Sequence, residues 1–210
     1  MASKLADQAS TGSTSAGAAD ERGADAEVLA AVDRGDVRGA MGQLMRRHGP
    51  SIYRFCRQML GDDTLADDVH QQVFVQVFRD LDGFQRRSTL RTWIYGIARH
   101  RCLDAIKIEG RRGRRFPLDD NLGSDDADDD LSALDKLSHQ QLVDALNHCL
   151  EELGPAARTA VLLRYREGFR YEEISEVCGD KPGTLQQRVA RALPVLRKCV
   201  ERRLRGGEEP

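Results

Sequence analysis

Between Asp119 and Asp130 the chain reads DDNLGSDDADDD, with seven aspartates. Like charges at that density repel one another and bring no apolar surface to bury, so the run can belong to no core. Just before it, Arg111, Arg112, Arg114 and Arg115 gather around Gly113. A chain of 210 residues interrupted there is expected to fold as two small units on either side of a linker. The expected boundaries are a tail over 1–24, a first domain over 25–110, a basic-then-acidic linker over 111–135, a second domain over 136–206 and a tail over 207–210. The first tail, rich in Ser, Thr, Gly and Ala, offers too little apolar surface to fold and is expected to be disordered.

Both flanks of the linker carry helical periodicity. Ile52, Phe55, Cys56, Met59 and Leu60 recur at the spacing of one helix face, and Gly61-Asp62-Asp63-Thr64 ends that helix and offers an acidic cap to the next. Ala66, Val69, Val73, Phe74, Val77, Phe78 and Leu81 repeat the pattern up to the Asp82-Gly83 turn. A further helix starts at Ser88-Thr89, both good N-caps, and carries Leu90, Ile94, Ile97, Ala98, Ala105 and Ile106 inward. Two shorter segments, near Ala26–Arg34 and Val37–His48, precede these. Past the linker, Leu142, Leu146, Leu150 and Leu153 stripe one helix, and Gly154-Pro155 breaks it and starts another. The expected fold class is all-α, two small helical domains joined by a flexible acidic linker.

Net charge is only −2, but the signs are segregated along the chain. No apolar run reaches the length of a membrane span and the N-terminus lacks a signal-peptide core, so a cytoplasmic chain without membrane insertion is expected. Cys56, Cys102, Cys149, Cys178 and Cys199 are widely separated, with no CxxC and no zinc spacing. They read as buried reduced thiols, and no metal is expected. The clustered carboxylates lie in the linker and no glycine-rich cofactor loop is present. No catalytic residue, cofactor or small-molecule substrate is therefore expected.

The last third has the layout of a helix-turn-helix. YEEISEVCG (Tyr171–Gly179) is a short helix ending in glycine, DKPG is a turn with Asp180 as a cap, and TLQQRVARAL (Thr184–Leu193) is a second short helix. From Gly183 to Arg205 seven basic residues face one acid, Glu201. Thr184, Gln186, Gln187, Arg188 and Arg191 lead the second helix, where amides suit adenine edges and guanidinium groups suit guanine. An antiparallel helical pair with a solvated basic face fits the same residues.

The stretch from Gly83 to Lys107, GFQRRSTLRTWIYGIARHRCLDAIK, holds the chain's one tryptophan among five arginines and a histidine. Together with ADDVHQQVFVQVFRDLDGF before it, it resembles region two of sigma-70-type transcription initiation factors. YREGFRYEEISEVCGDKPGTLQQRVARALPVLRK resembles their region four, and order and spacing are similar to the extracytoplasmic-function (ECF) subfamily, over about Ala26 to Leu204.

The resemblance implies core RNA polymerase and promoter DNA as partners, with an anti-sigma factor as a further one. It places Asp68, Gln71, Gln72, Val75 and Arg79 on the polymerase-binding face. It places Arg86, Arg87, Ser88, Thr89, Arg91, Trp93, Arg99, His100 and Arg101 at the minus-ten element, with Trp93 as an aromatic wedge and the arginines on phosphates. Thr184, Gln186, Gln187, Arg188 and Arg191 fall to the minus-thirty-five element. A core role for Trp93 is an equal alternative, and the acidic linker reads equally as a phosphate mimic or a spacer. Departures from the family pattern are Gln72 for a usual glutamate, His70 for an apolar residue, Asp180-Lys181 for an apolar residue and proline, and Pro194 within the last helix, where a kink is expected. The alternative function is a stand-alone helix-turn-helix regulator, which leaves the Trp93 stretch without a use.

Overall fold

A computed structural model describes residues 14–111 and 139–205. The expected linker core (112–135), most of the expected N-terminal tail and the C-terminal tail lie outside the described residues. Among these residues there is no strand. The elements are α1 (Thr14–Asp33), α2 (Val37–Leu60), α3 (Asp63–Asp80), α4 (Leu90–Arg111), α5 (His139–Glu152), α6 (Pro155–Val161) running into a π-helical turn (Leu162–Arg166), α7 (Tyr171–Cys178) and α8 (Pro182–Arg205). The first four make one domain and the rest a second.

Helix α1 begins inside the stretch expected as a tail, where AGAADERGADAE is rich in strong helix formers. Asp25 at its middle accepts a 2.9 Å hydrogen bond from the Leu90 amide, so α1 helps to cap α4. Thr89 supplies the other cap, its Oγ1 accepting from the Thr92 amide at 3.1 Å. Helix α2 runs unbroken through Pro50, whereas the sequence suggests two segments. Losing a backbone bond at a mid-helix proline costs about 3 kcal/mol. Ala40, Leu44, Ile52, Phe55 and Met59 are all fully buried on one stripe across it. Burial at roughly 1.5–3 kcal/mol for each large side chain outweighs that cost. The same holds in α8, which continues through Pro194 with Ala192, Leu196 and Cys199 buried on both sides.

The α2–α3 corner follows the sequence reading. Gly61 takes a left-handed conformation (φ 64°) and Asp62 accepts from the Leu65 amide at 2.8 Å. It is this positive φ that calls for glycine; a Cβ on Gly61 would also stand 2.7 Å from the Glu151 carboxylate of α5, but that flexible, exposed side chain can move aside. Three expectations are corrected. Phe78 is 46% exposed rather than inward, and Leu142 and Leu146 are 38% and 41% exposed. Cys149 and Cys199 are joined by a disulfide, Cα atoms 5.8 Å apart, leaving Cys56, Cys102 and Cys178 as thiols. Fifty residues of separation hide that pair from any spacing argument; only the packing of α5 on α8 creates it.

The two domains are docked, and their cores merge. Phe55, Tyr95 and Phe169 stack edge to face at 5.4 and 5.1 Å between ring centres, the last belonging to the second domain. Arg158, 1% exposed, donates to the Met59 carbonyl at the end of α2 (2.6 Å), and to the Glu151 and Leu153 carbonyls at the end of α5. Burial pulls its pKa down to about 10, which still leaves it charged at neutral pH. Cation against two helix C-termini is the favourable sense of the helix dipole.

Candidate functional site

Three surfaces collect the residues singled out from the sequence. On α3, Asp68, Gln71, Gln72, Val75 and Arg79 all lie on the exposed face. Beside them Met45, Val75 and Phe78 are 47%, 51% and 46% exposed, around a shallow hollow of about 400 Å³ that also takes in Met41 and Phe74. Large apolar side chains gathered on a surface mark a protein contact. Met41, Met45 and Phe78 were missed because helical periodicity assigns such residues to the interior. His70, odd for this face, sits edge-on between Tyr53 (5.7 Å) and Phe74 (5.0 Å) and donates from Nε2 to the Gly49 carbonyl at 3.1 Å.

The second surface is the head of α4 and the loop before it. Arg86 and Arg87 are exposed, and Arg86 holds a positive φ of 57° while pairing with Asp33 at 2.5 Å. Trp93 is half-buried, its ring tilted against Phe84 with centres 4.9 Å apart. It shares a hollow of about 500 Å³ with Ser88, Thr92, His100, Arg101 and Glu176. One part of the Trp93 side chain packs on the core and another lines an open hollow. His100 is exposed, and Arg101 donates to Gln76 Oε1 of α3 at 2.6 Å.

Two of the expected phosphate contacts point elsewhere. Arg91 donates to the Glu167 carbonyl and lies over the Phe169 ring, 4.2 Å from its centre. Arg99 stands beside the Cys178 side chain of α7, where its charge opposes the rise that burial gives the thiol's pKa. Both therefore face the seam between the domains, and Glu176 of α7 closes one side of the Trp93 hollow. In this arrangement α7 covers part of the basic face of α4.

The third surface is α7 and α8. Glu173 accepts from the Arg170 amide at 2.7 Å to start α7, Gly179 (φ 79°) ends it, and Pro182 opens α8. Asp180 does not cap α8, which begins two residues later. It instead accepts a 2.7 Å bond from Arg188 Nη1. A carboxylate two residues ahead of the helix is placed to align a guanidinium on its first turns. Thr184, Gln186, Gln187 and Arg191 are exposed beside it. Among the described residues no group of His, Cys, Asp and Glu could hold a metal, and no helix is long and apolar enough to cross a membrane.

Comparison with known proteins agrees with this geometry. Sigma-70 region 2 matches residues 44–112, and Sigma-70, region 4 matches residues 143–193. The ECF RNA polymerase sigma factor SigE of Mycolicibacterium smegmatis is 32% identical over 74% of this chain, which spans 59% of that relative's length. RNA polymerase sigma-H factor of Pseudomonas aeruginosa is 28% identical over 86% of this chain and 96% of its own. The ECF sigma-E factor of Escherichia coli K12 is 30% identical over 64% of this chain and 73% of its own. Among solved structures, the sigma factor RpoE in complex with the anti-sigma factor NepR from Bartonella quintana superposes with a TM-score of 0.59 at 22% identity, covering 76% of this chain and 96% of that one. CnrH in complex with the cytosolic domain of CnrY gives 0.56 at 23%, covering 85% and 97%. With both regions present in order, on two helical domains that carry the surfaces described, the chain belongs to the ECF subfamily of sigma-70-type RNA polymerase sigma factors.

Proposed function

We propose that this sigma factor binds core RNA polymerase through the outer face of α3 and its apolar neighbours. It then melts the minus-ten element with α4 and its preceding loop, and reads the minus-thirty-five element with the leading end of α8. The observation that carries the reading is the exposed Met45, Val75 and Phe78 beside Asp68, Gln71, Gln72 and Arg79. A stand-alone helix-turn-helix regulator could use an apolar surface to pair with a second copy, but it leaves the Trp93 stretch of α4 without a role.

The docked arrangement supports a dependence on polymerase. With Arg91 and Arg99 turned into the seam and Glu176 beside the Trp93 hollow, a DNA strand must displace α7 to reach the basic face of α4. Polymerase, holding the domains apart, supplies that separation. The chain acts in the cytoplasm, where polymerase is, and an anti-sigma factor restrains it, in line with the Bartonella quintana sigma factor RpoE, whose structure holds the anti-sigma factor NepR.

Footprinting on a cognate promoter tests the reading. The protein alone is expected to protect little, and adding core polymerase is expected to protect both elements and give accurate initiation. A strong palindromic footprint without polymerase, with no association with the core enzyme, would establish the stand-alone regulator instead.

A further inference from the structure

The disulfide between Cys149 and Cys199 has no part in the binding surfaces above, and it joins the two helices on which the second domain depends. Cys149 sits on α5 and Cys199 on α8, both nearly inaccessible, 1% and 4% exposed. The bond encloses α6, the π-helical turn, α7 and most of α8 in one covalent loop. On the far side of α5, Asn147 accepts a 3.2 Å bond from Gln58 of α2. One turn later the Glu151 and Leu153 carbonyls receive Arg158. Helix α5 is therefore one element through which the hold on α8 reaches the domain seam, alongside α7, which packs on both α8 and α4. A separate polar tie between α5 and α8 is the exposed Arg202–Glu152 pair at 3.6 Å, which contributes little.

A bond of this kind in a protein that works beside polymerase in a reducing compartment belongs to the transient or sensing class rather than the structural one. In its reason for reversibility the inference rests on the cytoplasmic reading above. We propose that Cys149 and Cys199 are a reversible thiol–disulfide pair whose oxidised form clamps α5 to α8. In the reduced form α5 is released, and the seam with the first domain loosens with it. Opening uses a dithiol reductant. Its thiolate attacks one sulfur, the S–S bond breaks, and the departing cysteine thiolate takes up a proton. The reductant's second thiol then resolves the mixed disulfide, so two cysteine thiols form as one dithiol becomes a disulfide. A small-molecule disulfide drives the reverse exchange. Burial of both sulfurs makes the exchange wait on an outward motion of α5, so it reports that motion directly.

The full-length chain, equilibrated in dithiothreitol buffers of stepped oxidised-to-reduced ratio, tests this with no DNA or polymerase present. Alkylation after unfolding is expected to count three thiols in the oxidised form, Cys56, Cys102 and Cys178, and two more in the reduced form. The interconversion should follow one two-electron curve in both directions. Amide exchange along α5 is expected to speed up by about tenfold or more on reduction. The C149A/C199A variant should exchange at the faster rate in every buffer. Two results would overturn the proposal: five thiols at every ratio, or a disulfide that forms and breaks with no change in α5 exchange. If the double variant does not fold, the wild-type comparison between its own two states still decides. Loss of promoter activity in other assays would bear on the sigma-factor assignment and leave this measurement untouched.

Discussion

The Tyr95 hydroxyl donates a 2.5 Å hydrogen bond to the Glu167 carboxylate, joining α4 of the first domain to the loop that precedes α7 in the second. Burial, and then the negative Glu167, push the Tyr95 pKa well above its ordinary value, so the phenol stays protonated and donates throughout the physiological range.

A latch follows from that bond. Glu167→Ala removes a charged acceptor, and a hydrogen bond of that type is worth about 1.5–3 kcal/mol. The helices of each domain keep their own buried stripes, so the variant should remain helical while the seam opens. Energy transfer between dyes placed at exposed Arg87 and Arg191 should fall, and binding to core polymerase should quicken. Unchanged transfer would show that Arg158 and Phe169 hold the seam without it.

Trp93→Ala should leave polymerase binding intact and reduce unpairing of the minus-ten element. Stacking on an aromatic face is worth about 1–3 kcal/mol per base. Permanganate reactivity of unpaired thymines gives the measure. Equal reactivity in a variant with normal circular dichroism would leave Trp93 as a packing partner of Phe84 alone.

In α8, Gln187→Ala and Arg188→Ala should each weaken recognition of particular upstream base pairs by about 1–3 kcal/mol. Asp180→Asn offers a finer probe. With the charge gone, Arg188 keeps only a neutral amide oxygen in place of its 2.7 Å carboxylate partner and should read its base pair less selectively while still attracting phosphate. Arg202→Ala, far from the leading end, should weaken all promoters alike. Competition binding across single-base promoter variants separates these outcomes.

His48 gives a pH dependence. Buried at 6% exposure, it has its pKa lowered from 6.5 to about 4, first by desolvation and then by Arg47 and Arg91. Above pH 7 the ring is neutral in both folded and unfolded chains and contributes nothing. As pH falls from 6.5 towards 4 the unfolded chain takes up a proton that the folded one refuses, so stability is lost, by about 3 kcal/mol at the lower end. His48→Leu should remove that part of the slope. Urea midpoints of the two proteins should diverge below pH 6.5, and parallel curves would refute the assignment.

Local regularities carried much of the fold in the sequence. The stripe of Ala66, Val69, Val73 and Val77, the Gly61–Asp62 corner and the Thr89 cap all depend on neighbours within a turn or two, and each stands where periodicity and capping chemistry put it. The docking of the domains was not legible. Arg158 reads locally as one more charged residue in a helix, and its partner Met59 lies 99 positions away. Arg91 and Arg99 look like any basic residues on a DNA-facing helix until α7 and the loop before it are placed against them. On α3 the polar face was legible, but Phe78 was assigned inward because periodicity cannot distinguish a core residue from one that adjoins the core and waits for a partner.

Arg158 limits how modular this protein is. Its guanidinium closes the last turn of α2 and the last turn of α5 at once, so the two halves share a capping group that only one of them encodes. A chimera that borrows its second half from a relative lacking a long cation at this place would leave the Met59 carbonyl buried without a donor. The defect would surface in the first half, whose own sequence had not been altered. Recombination between such factors is therefore constrained at a position that none of the three binding surfaces touches.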